Sequence, residues 1–186
     1  YKRVMTRWFS EFFAPYKSEF DFENYGEYWD YIKKNQIITL KDEPVKSFEE
    51  CEVANFLYLN GVNYIYEAEY EHDTRTKEHG QYHPDFYLPD YEIYIEHLGI
   101  NCAGRTAPYV DRAEYLRSLK WKRELHEEHE TILIETTSCE KSQGVLTKNL
   151  RDKLTEYGVA FRELDTNQIL AILNERKQID SFTKLV

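Results

Sequence analysis

The segment PDFYLPDYEIYIEHLG, residues 84–99, decides the fold. Apolar and polar residues alternate on both sides of a turn at 89–91, and this pattern predicts strands over 83–88 and 92–97 that pair as an antiparallel hairpin. A tight turn also fixes which residues face each other across the hairpin. The expected pairs are Leu88 with Ile93, Tyr87 with Tyr94, Phe86 with Ile95, and Asp85 with Glu96.

This register places the carboxylates of Asp85 and Glu96 side by side on the polar face of the hairpin. Directly opposed side chains have Cβ atoms about 5 Å apart, and like charges at that distance destabilise the pair. A divalent cation, a raised pKa or wide solvent exposure would offset the repulsion. Mg²⁺ is commonly bound by one or two carboxylates together with phosphate oxygens and water, so the pair is a candidate metal site. The alternative is that both acids are solvated strand-end residues in a slightly different register.

A third candidate acid, Glu50, lies in a predicted helix that precedes the hairpin. Residues 47–50 (SFEE) form a capping-box pattern with Ser47 as the N-cap, and Asn60-Gly61 ends the helix. The capping box alone accounts for Glu50. Because Glu50 also lies on the core-facing side of its helix, the alternative is that it completes a metal site beside the hairpin.

A long helix predicted over 111–128 supplies basic residues. Helical spacing places Lys122 and His126 on the same face as Asp111, whereas Lys120 lies on a different face. An ammonium group at Lys122 would stabilise phosphate charge as a point-charge donor. The alternative is an ordinary solvated basic surface.

The remaining pattern predicts one α/β domain with a mixed sheet over residues 43–186, preceded by an N-terminal helical appendage over residues 1–42. The appendage carries aromatic residues at helical spacing in two pieces, around Trp8 and around Trp29, before a short strand at 37–40. The other elements expected in the domain are strands at 62–67, 131–136 and 159–164, a helix at 144–157, and a last helix containing Ile169, Leu170 and Ile172.

Composition narrows the class of protein. The chain has 186 residues, 41% hydrophobic and 16% aromatic, which is enough apolar material for a packed core, and no apolar run is long enough for a transmembrane helix. No basic segment precedes an apolar one, which predicts that there is no signal peptide. Three widely spaced cysteines, Cys51, Cys102 and Cys139, favour reduced thiols in a cytosolic protein.

The formal net charge of −10 argues against a simple nucleic-acid coat protein, which would present a basic surface. It does not exclude an enzyme whose acidic site is neutralised by a metal ion. The sequence contains neither a glycine-rich nucleotide-binding loop nor the nucleophile motif of acyl-transfer enzymes.

Four segments, 46–67, 84–99, 121–126 and 133–138, together resemble a known family. They look like the nuclease-like domain inserted in UvrD/Rep-type superfamily 1 DNA helicases of the helicase IV-like group, which has the PD-(D/E)XK restriction-endonuclease-like fold. The resemblance implies hydrolysis of DNA phosphodiester bonds with Mg²⁺ or Mn²⁺ as cofactor. It also implies that DNA and the remainder of a helicase chain are the partners, and that the setting is DNA repair in the cytoplasm.

The resemblance assigns roles at matching positions. Asp85 and Glu96 match the acids of the motif and, with Glu50 from the first helix, would hold the metal. Leu98 stands where the motif has lysine, but in some families of this fold that lysine lies in the following helix, where Lys122 is the expected replacement. The resulting catalytic residues are Asp85, Glu96 and Lys122, and the resulting DNA-binding residues are Lys120, Lys122 and His126.

A second hypothesis is a catalytically degenerate nuclease fold that acts as a DNA-binding or interdomain docking module of a helicase. Leu98 and the net charge of −10 favour it. The retained carboxylate pair of Asp85 and Glu96 favours the nuclease.

Overall fold

The computed structural model describes residues 17–35, 37–162, 164–165, 167–168 and 171. A single turn of 3-10 helix, Glu19–Asp21, comes first. The helices are α1 (Tyr25–Asn35), α2 (Phe48–Leu59), α3 (Arg112–Glu128), α4 (Ser138–Ser142) and α5 (Leu146–Glu156). The strands are β1 (Ile65–Tyr66), β2 (Phe86–Leu88), β3 (Ile93–Leu98) and β4 (Ile132–Thr137).

The strands form one mixed sheet in the order β1-β2-β3-β4. The first two neighbouring pairs are antiparallel, and β3 pairs with β4 in parallel. A parallel pair needs a long crossover connection, and α3 provides it. The predicted α/β class, a mixed sheet flanked by helices, is therefore confirmed. The narrower restriction-endonuclease-like class stays a prediction.

The hairpin register is confirmed by the backbone pairing. Phe86 lies opposite Ile95, Tyr87 opposite Tyr94, and Leu88 opposite Ile93. The turn closes with a hydrogen bond of 3.1 Å from the Tyr91 amide to the Leu88 carbonyl. A one-residue slip would expose the apolar face, so the alternation of the sequence specifies this register strongly.

One face of the sheet packs against α2 and α5. Leu146, Leu150 and Leu154 recur every four residues along α5 and are at most 1% exposed. Full burial of one such side chain contributes about 1.5–3 kcal/mol, so this layer is the main support of the hairpin. The same core contains Val53, Ala54, Leu57, Phe86, Leu88, Ile93 and Ile95.

The other face of the hairpin is covered by α3 through a cluster of aromatic residues. Tyr94 of β3 packs with Tyr70 and Tyr82, which precede β2, and Trp121 and Leu125 of α3 lie against them. This layer positions the candidate site, because it holds β3 and α3 at a fixed separation.

The second helical piece predicted for the appendage is confirmed as α1. Its buried residues Tyr28 and Ile32 pack with Phe22, and the same cluster includes Val45 and Cys51 from the chain around the start of α2. Helix α1 therefore packs against the chain at the start of α2. The first piece, around Trp8, lies outside the described residues.

Two strand predictions are wrong. Residues 37–40 form only an isolated bridge, between Ile38 and Pro44. The described residues of 159–164 form no strand; two of their amides bond to the end of α2 instead, Arg162 to the Asn60 carbonyl at 2.8 Å and Leu164 to the Leu59 carbonyl at 3.0 Å.

The C-terminal part of the chain contains one helix that was not predicted, and one predicted helix there falls outside the described residues. The short helix α4 was not predicted; it begins with a capping box between Thr137 and Glu140. The last predicted helix, with Ile169, Leu170 and Ile172, falls on positions outside the described residues.

The prediction of three reduced thiols is wrong for two of them. Cys102 and Cys139 form a disulfide with a sequence separation of 37, while Cys51 is a buried thiol. Parallel pairing of Leu98 with Thr137 sets the two following segments side by side, so a large distance in sequence becomes a short one in space. The argument for a cytosolic protein from its cysteines is thereby removed. No helix in the described ranges is both long and apolar enough to cross a membrane.

Candidate functional site

The site begins where β2 does, at Asp85, the residue immediately before the strand. Asp85 Oδ2 accepts the backbone N–H of His97 at 2.7 Å, so the side chain takes the place of a backbone partner at this end of the hairpin. No hydrogen bond from the described residues reaches Oδ1. Because no fully buried side-chain oxygen among those residues lacks a partner, Oδ1 has contact with solvent.

Glu96 of β3 is the second acid, and its residue is only 2% exposed. Its Oε2 accepts a hydrogen bond of 2.6 Å from Lys122 Nζ, and its Oε1 accepts one of 2.7 Å from the Tyr82 hydroxyl. Lys122 therefore reaches from α3 to the hairpin carboxylate rather than into solvent, which is the direction expected from the helix spacing. A carboxylate buried this deeply requires such a partner.

Tyr82 and His126 form a hydrogen-bond network that holds Glu96 in place. Because the Tyr82 hydroxyl donates to Glu96, it accepts from His126 Nε2, which lies 3.3 Å away. His126 Nδ1 then accepts from the Thr131 hydroxyl at 2.7 Å, and this network assigns the tautomer. Burial and the nearby charge of Lys122 lower the pKa of His126 to about 4. The ring is neutral near pH 7.

The buried position of His126 conflicts with the prediction that this residue contacts DNA. The residue is 3% exposed, so the ring cannot touch DNA directly in this structure. Helical spacing placed it correctly beside Lys122, but sequence alone did not show that Tyr82 and Thr131 cover it. Lys120 lies on the solvent side of α3, with 76% of its side chain exposed and Glu124 3.4 Å away.

Burial and neighbouring acids perturb the pKa of Asp85. Burial, reinforced by the negative charges of Glu96 and Glu50, raises the pKa of Asp85 well above its usual range. Burial also raises the pKa of Glu50, although hydrogen bonds from Tyr66 and Ser47 oppose the shift. The repulsion expected from the sequence is therefore present at Asp85.

Glu50 makes only half of the predicted capping box. The Ser47 hydroxyl accepts the Glu50 backbone N–H at 3.0 Å. The Glu50 carboxylate, however, accepts the backbone N–H of Lys46 at 3.3 Å and the Tyr66 hydroxyl at 2.6 Å. It lies on the side of the sheet covered by α2, since Tyr66 packs with the core on that face.

The predicted metal site of Glu50, Asp85 and Glu96 is not assembled in the structure. In the described ranges, no three histidine, cysteine, aspartate or glutamate side chains come together in a way that would hold a metal ion. Both oxygens of Glu50 are engaged by protein donors. The residues still fit a smaller site, because the charge of Glu96 acts on Asp85 and Mg²⁺ needs only one or two carboxylates when water and phosphate complete its shell.

An open pocket of about 660 Å³ lies beside Lys122 and Tyr82, the two residues that bond to Glu96. Its lining includes Lys122 of α3, Lys46 from the segment before α2, and Tyr82. His79 and Trp121 also line it, with their rings stacked 4.2 Å apart. Sequence reasoning missed this aromatic pair; the one available signal was that Trp121 immediately precedes Lys122.

A second pocket, of about 410 Å³ and lined by several acidic residues, lies on the other side of β3. Alternation along the strand points His97 away from Glu96, and His97 Nε2 lies 2.6 Å from Glu49 Oε2. The Ser138 hydroxyl donates to the same Glu49 oxygen at 2.6 Å. Burial raises the pKa of Glu49, but these hydrogen bonds outweigh it and the net pKa is lowered. Sequence reasoning passed over His97.

Comparisons with known proteins add little to this geometry. No family model matches the chain, and no solved structure matches it. A segment of 37 residues is 49% identical to part of an uncharacterized protein of Methanocaldococcus jannaschii. That segment covers 20% of this chain and 3% of the relative's length.

Proposed function

We propose that this chain is a metal-dependent nuclease domain that hydrolyses DNA phosphodiester bonds beside Asp85 and Glu96. One observation carries the proposal: an ammonium from α3, Lys122 Nζ, lies 2.6 Å from the Glu96 carboxylate, whose charge also acts on Asp85. Two acids and a lysine, from the residue before β2, from β3 and from α3, supply charged groups that suit a metal ion and a phosphate.

The residues have separable roles in this proposal. Asp85 and Glu96 would hold Mg²⁺ or Mn²⁺, which when bound supplies charge neutralisation and an activated water. Lys122 has three N–H donors and uses one on Glu96, so the others are available to a phosphate oxygen. Tyr82 and His126 position Glu96: the Tyr82 hydroxyl donates to Glu96, and His126 Nε2 donates to the Tyr82 hydroxyl.

The departure at Leu98 is compatible with this arrangement. Leu98 is 4% exposed and packs in the interior, so a lysine there would bury an ammonium. Lys122 brings its charge to the Glu96 carboxylate from the neighbouring helix instead. The restriction-endonuclease-like fold, the helicase partner, the repair role and the cytoplasmic location all belong to the same proposal.

The alternative is a docking or DNA-binding module of a helicase without catalysis. The Lys122–Glu96 ion pair supports it, because the two charges neutralise each other without a metal ion. The formal net charge of −10 supports it as well, since unaided binding of DNA favours a basic surface.

Cleavage of labelled DNA in the presence of Mg²⁺ or Mn²⁺ tests the proposal. The substrates are single-stranded, double-stranded and forked DNA, and the variants are Asp85→Asn and, as matched control, Asp90→Asn in the exposed turn of the same hairpin. We expect metal-dependent cleavage by the wild type and by Asp90→Asn, and a loss on the order of 100-fold or more in Asp85→Asn. Absence of cleavage on every substrate with both metals would favour the docking module.

A further inference from the structure

The pocket of about 660 Å³ has a composition that differs from the rest of the acidic surface. Its lining brings two ammonium groups, from Lys46 and Lys122, together with the stacked rings of His79 and Trp121. The volume lies inside the range of about 300–1,000 Å³ that is usual for small-molecule sites. Flat aromatic rings beside cationic groups are suited to a ligand with a planar base and a phosphate.

The aromatic wall is held in place from both sides. The two ring planes of His79 and Trp121 are nearly parallel, at 6° to each other. Trp121 belongs to α3, and Tyr82 meets its ring edge-on with centroids 5.9 Å apart. His79 is held by a turn in which its backbone N–H donates to the Thr76 hydroxyl at 3.0 Å. The wall is therefore present before any ligand binds.

The same pocket is lined by one candidate catalytic residue, Lys122, and by Glu67, which bonds to the backbone of Asp85. Lys122 lines it while bonding to Glu96, and Glu67 lines it while its backbone N–H donates to the Asp85 carbonyl at 3.0 Å. A nucleotide in the pocket would thus lie next to the phosphate that the hairpin acids address. Lys46 pairs with Glu67 at the rim, which keeps its ammonium beside the pocket.

We infer that this pocket binds one unstacked nucleotide of single-stranded DNA, with its base on an outer face of the stacked His79–Trp121 pair and its phosphate toward Lys46 and Lys122. The inference rests on the proposed function for the choice of DNA as the ligand. Base faces inside a duplex are covered by neighbouring bases, so only an unpaired nucleotide presents a face to the wall. The pocket therefore selects single-stranded or splayed DNA over continuous duplex.

Binding measured without metal tests the inference separately from cleavage. Fluorescence anisotropy of the full chain in EDTA would follow a labelled thymidine oligonucleotide, the same oligonucleotide with one abasic position at its centre, and a duplex of equal length. Base–aromatic stacking is worth about 1–3 kcal/mol per base, so we expect Trp121→Leu to weaken single-strand binding by about 10-fold and His79→Ala by less. We expect the duplex to bind more weakly than the single strand.

Matched controls test whether binding depends on the His79–Trp121 pair or on any aromatic side chain of the protein. Trp29→Leu removes a tryptophan of α1, and His72→Ala removes a ring that stacks on His129 outside the pocket. Both controls should bind the single strand like the wild type. The variant Trp121→Phe keeps a stacking ring and should recover most of the affinity, which distinguishes loss of stacking from loss of folding.

The abasic oligonucleotide gives the decisive comparison. Removing one base should weaken binding to the wild type but change little in Trp121→Leu, because that variant has already lost the stacking partner. Equal binding of duplex and single strand, or an abasic effect that persists in Trp121→Leu, would overturn the inference. Single-strand binding through Trp121 by a protein that cuts no DNA would sustain the inference while the proposed hydrolysis fails.

Discussion

The two sides of β3 carry acids in opposite electrostatic surroundings. On the α2 side, Glu49 Oε2 accepts a hydrogen bond from Ser138 and lies against His97; burial raises the pKa of Glu49, but these partners lower it overall. On the α3 side, burial and the negative charges of Glu96 and Glu50 raise the pKa of Asp85 well above its usual range. The comparison teaches that acids beside one strand are not equivalent: protein donors already stabilise the charge of Glu49, whereas a cation would stabilise the charge of Asp85.

The ion pair on the α3 side gives the largest expected effect on stability. Lys122→Met would leave the Glu96 carboxylate, whose side chain is 3% exposed, without its cation. Removing one partner of a buried pair costs about 3–5 kcal/mol, which urea unfolding would measure. Lys120→Met, on the exposed side of the same helix, should change the free energy of unfolding by less than about 1 kcal/mol.

A loss in Lys122→Met no larger than that in Lys120→Met would show that Lys122 does not stabilise the fold by neutralising the buried Glu96 carboxylate. The double variant Lys122→Met with Glu96→Gln should recover part of the stability, because it removes the unpaired charge as well.

On the other side of β3, the disulfide gives the next effect. Cys102 and Cys139 close a loop with a sequence separation of 37, which corresponds to about 3–4 kcal/mol in the chain-entropy description. The double variant Cys102→Ser with Cys139→Ser should lose stability by this amount. Its binding of divalent metal should stay as in the wild type, since the neighbours of the two cysteines, Asn101 and Ser138, line the second pocket and not the pocket beside Lys122.

If removal of the disulfide also weakened metal binding, the two sides of β3 would not be independent. Unfolding of the wild type with and without reductant gives an independent reading, because reduction should reproduce the stability of the double variant.

The hairpin shows what the sequence can predict, and His97 shows what it cannot. Alternation of apolar residues predicted the pairing of Phe86 with Ile95 because one face must be buried, and helical spacing placed Lys122 beside Glu96. The hydrogen bond from the His97 amide to the Asp85 side chain depends on where β2 begins, which alternation does not define.

Features that depend on contacts distant in sequence were missed for the same reason. The bond between Cys102 and Cys139 depends on the parallel pairing of β3 with β4. The strand predicted at 159–164 has apolar residues in a suitable pattern, but the amides of Arg162 and Leu164 bond to the end of α2.

The buried ring of His126 gives a pH effect. Its pKa is about 4 in the folded chain and about 6.5 when unfolded, so the unfolded state binds the extra proton first as the pH falls. The stability supplied by neutral His126 is complete above pH 6.5 and is lost as the pH falls through 4. The loss amounts to roughly 3 kcal/mol.

The variant His126→Gln keeps a donor to Tyr82 but cannot take up this proton. Between pH 7 and pH 4 the wild type should therefore lose more free energy of unfolding than this variant. Replacing the exposed His83 by glutamine serves as the control and should follow the wild type. Identical pH profiles for the wild type and His126→Gln would show that the ring is not held neutral.

Calorimetric titration of Mn²⁺ into the full chain and into Asp85→Asn tests the central claim most directly, namely that Asp85 and Glu96 form a cation site. Burial and the neighbouring acids raise the pKa of Asp85, so binding must release its proton and the affinity should increase as the pH rises. We predict one Mn²⁺ per wild-type chain, with affinity lost in Asp85→Asn and retained in Asp90→Asn. Absence of binding at millimolar Mn²⁺, or equal binding by wild type and Asp85→Asn, would contradict the account.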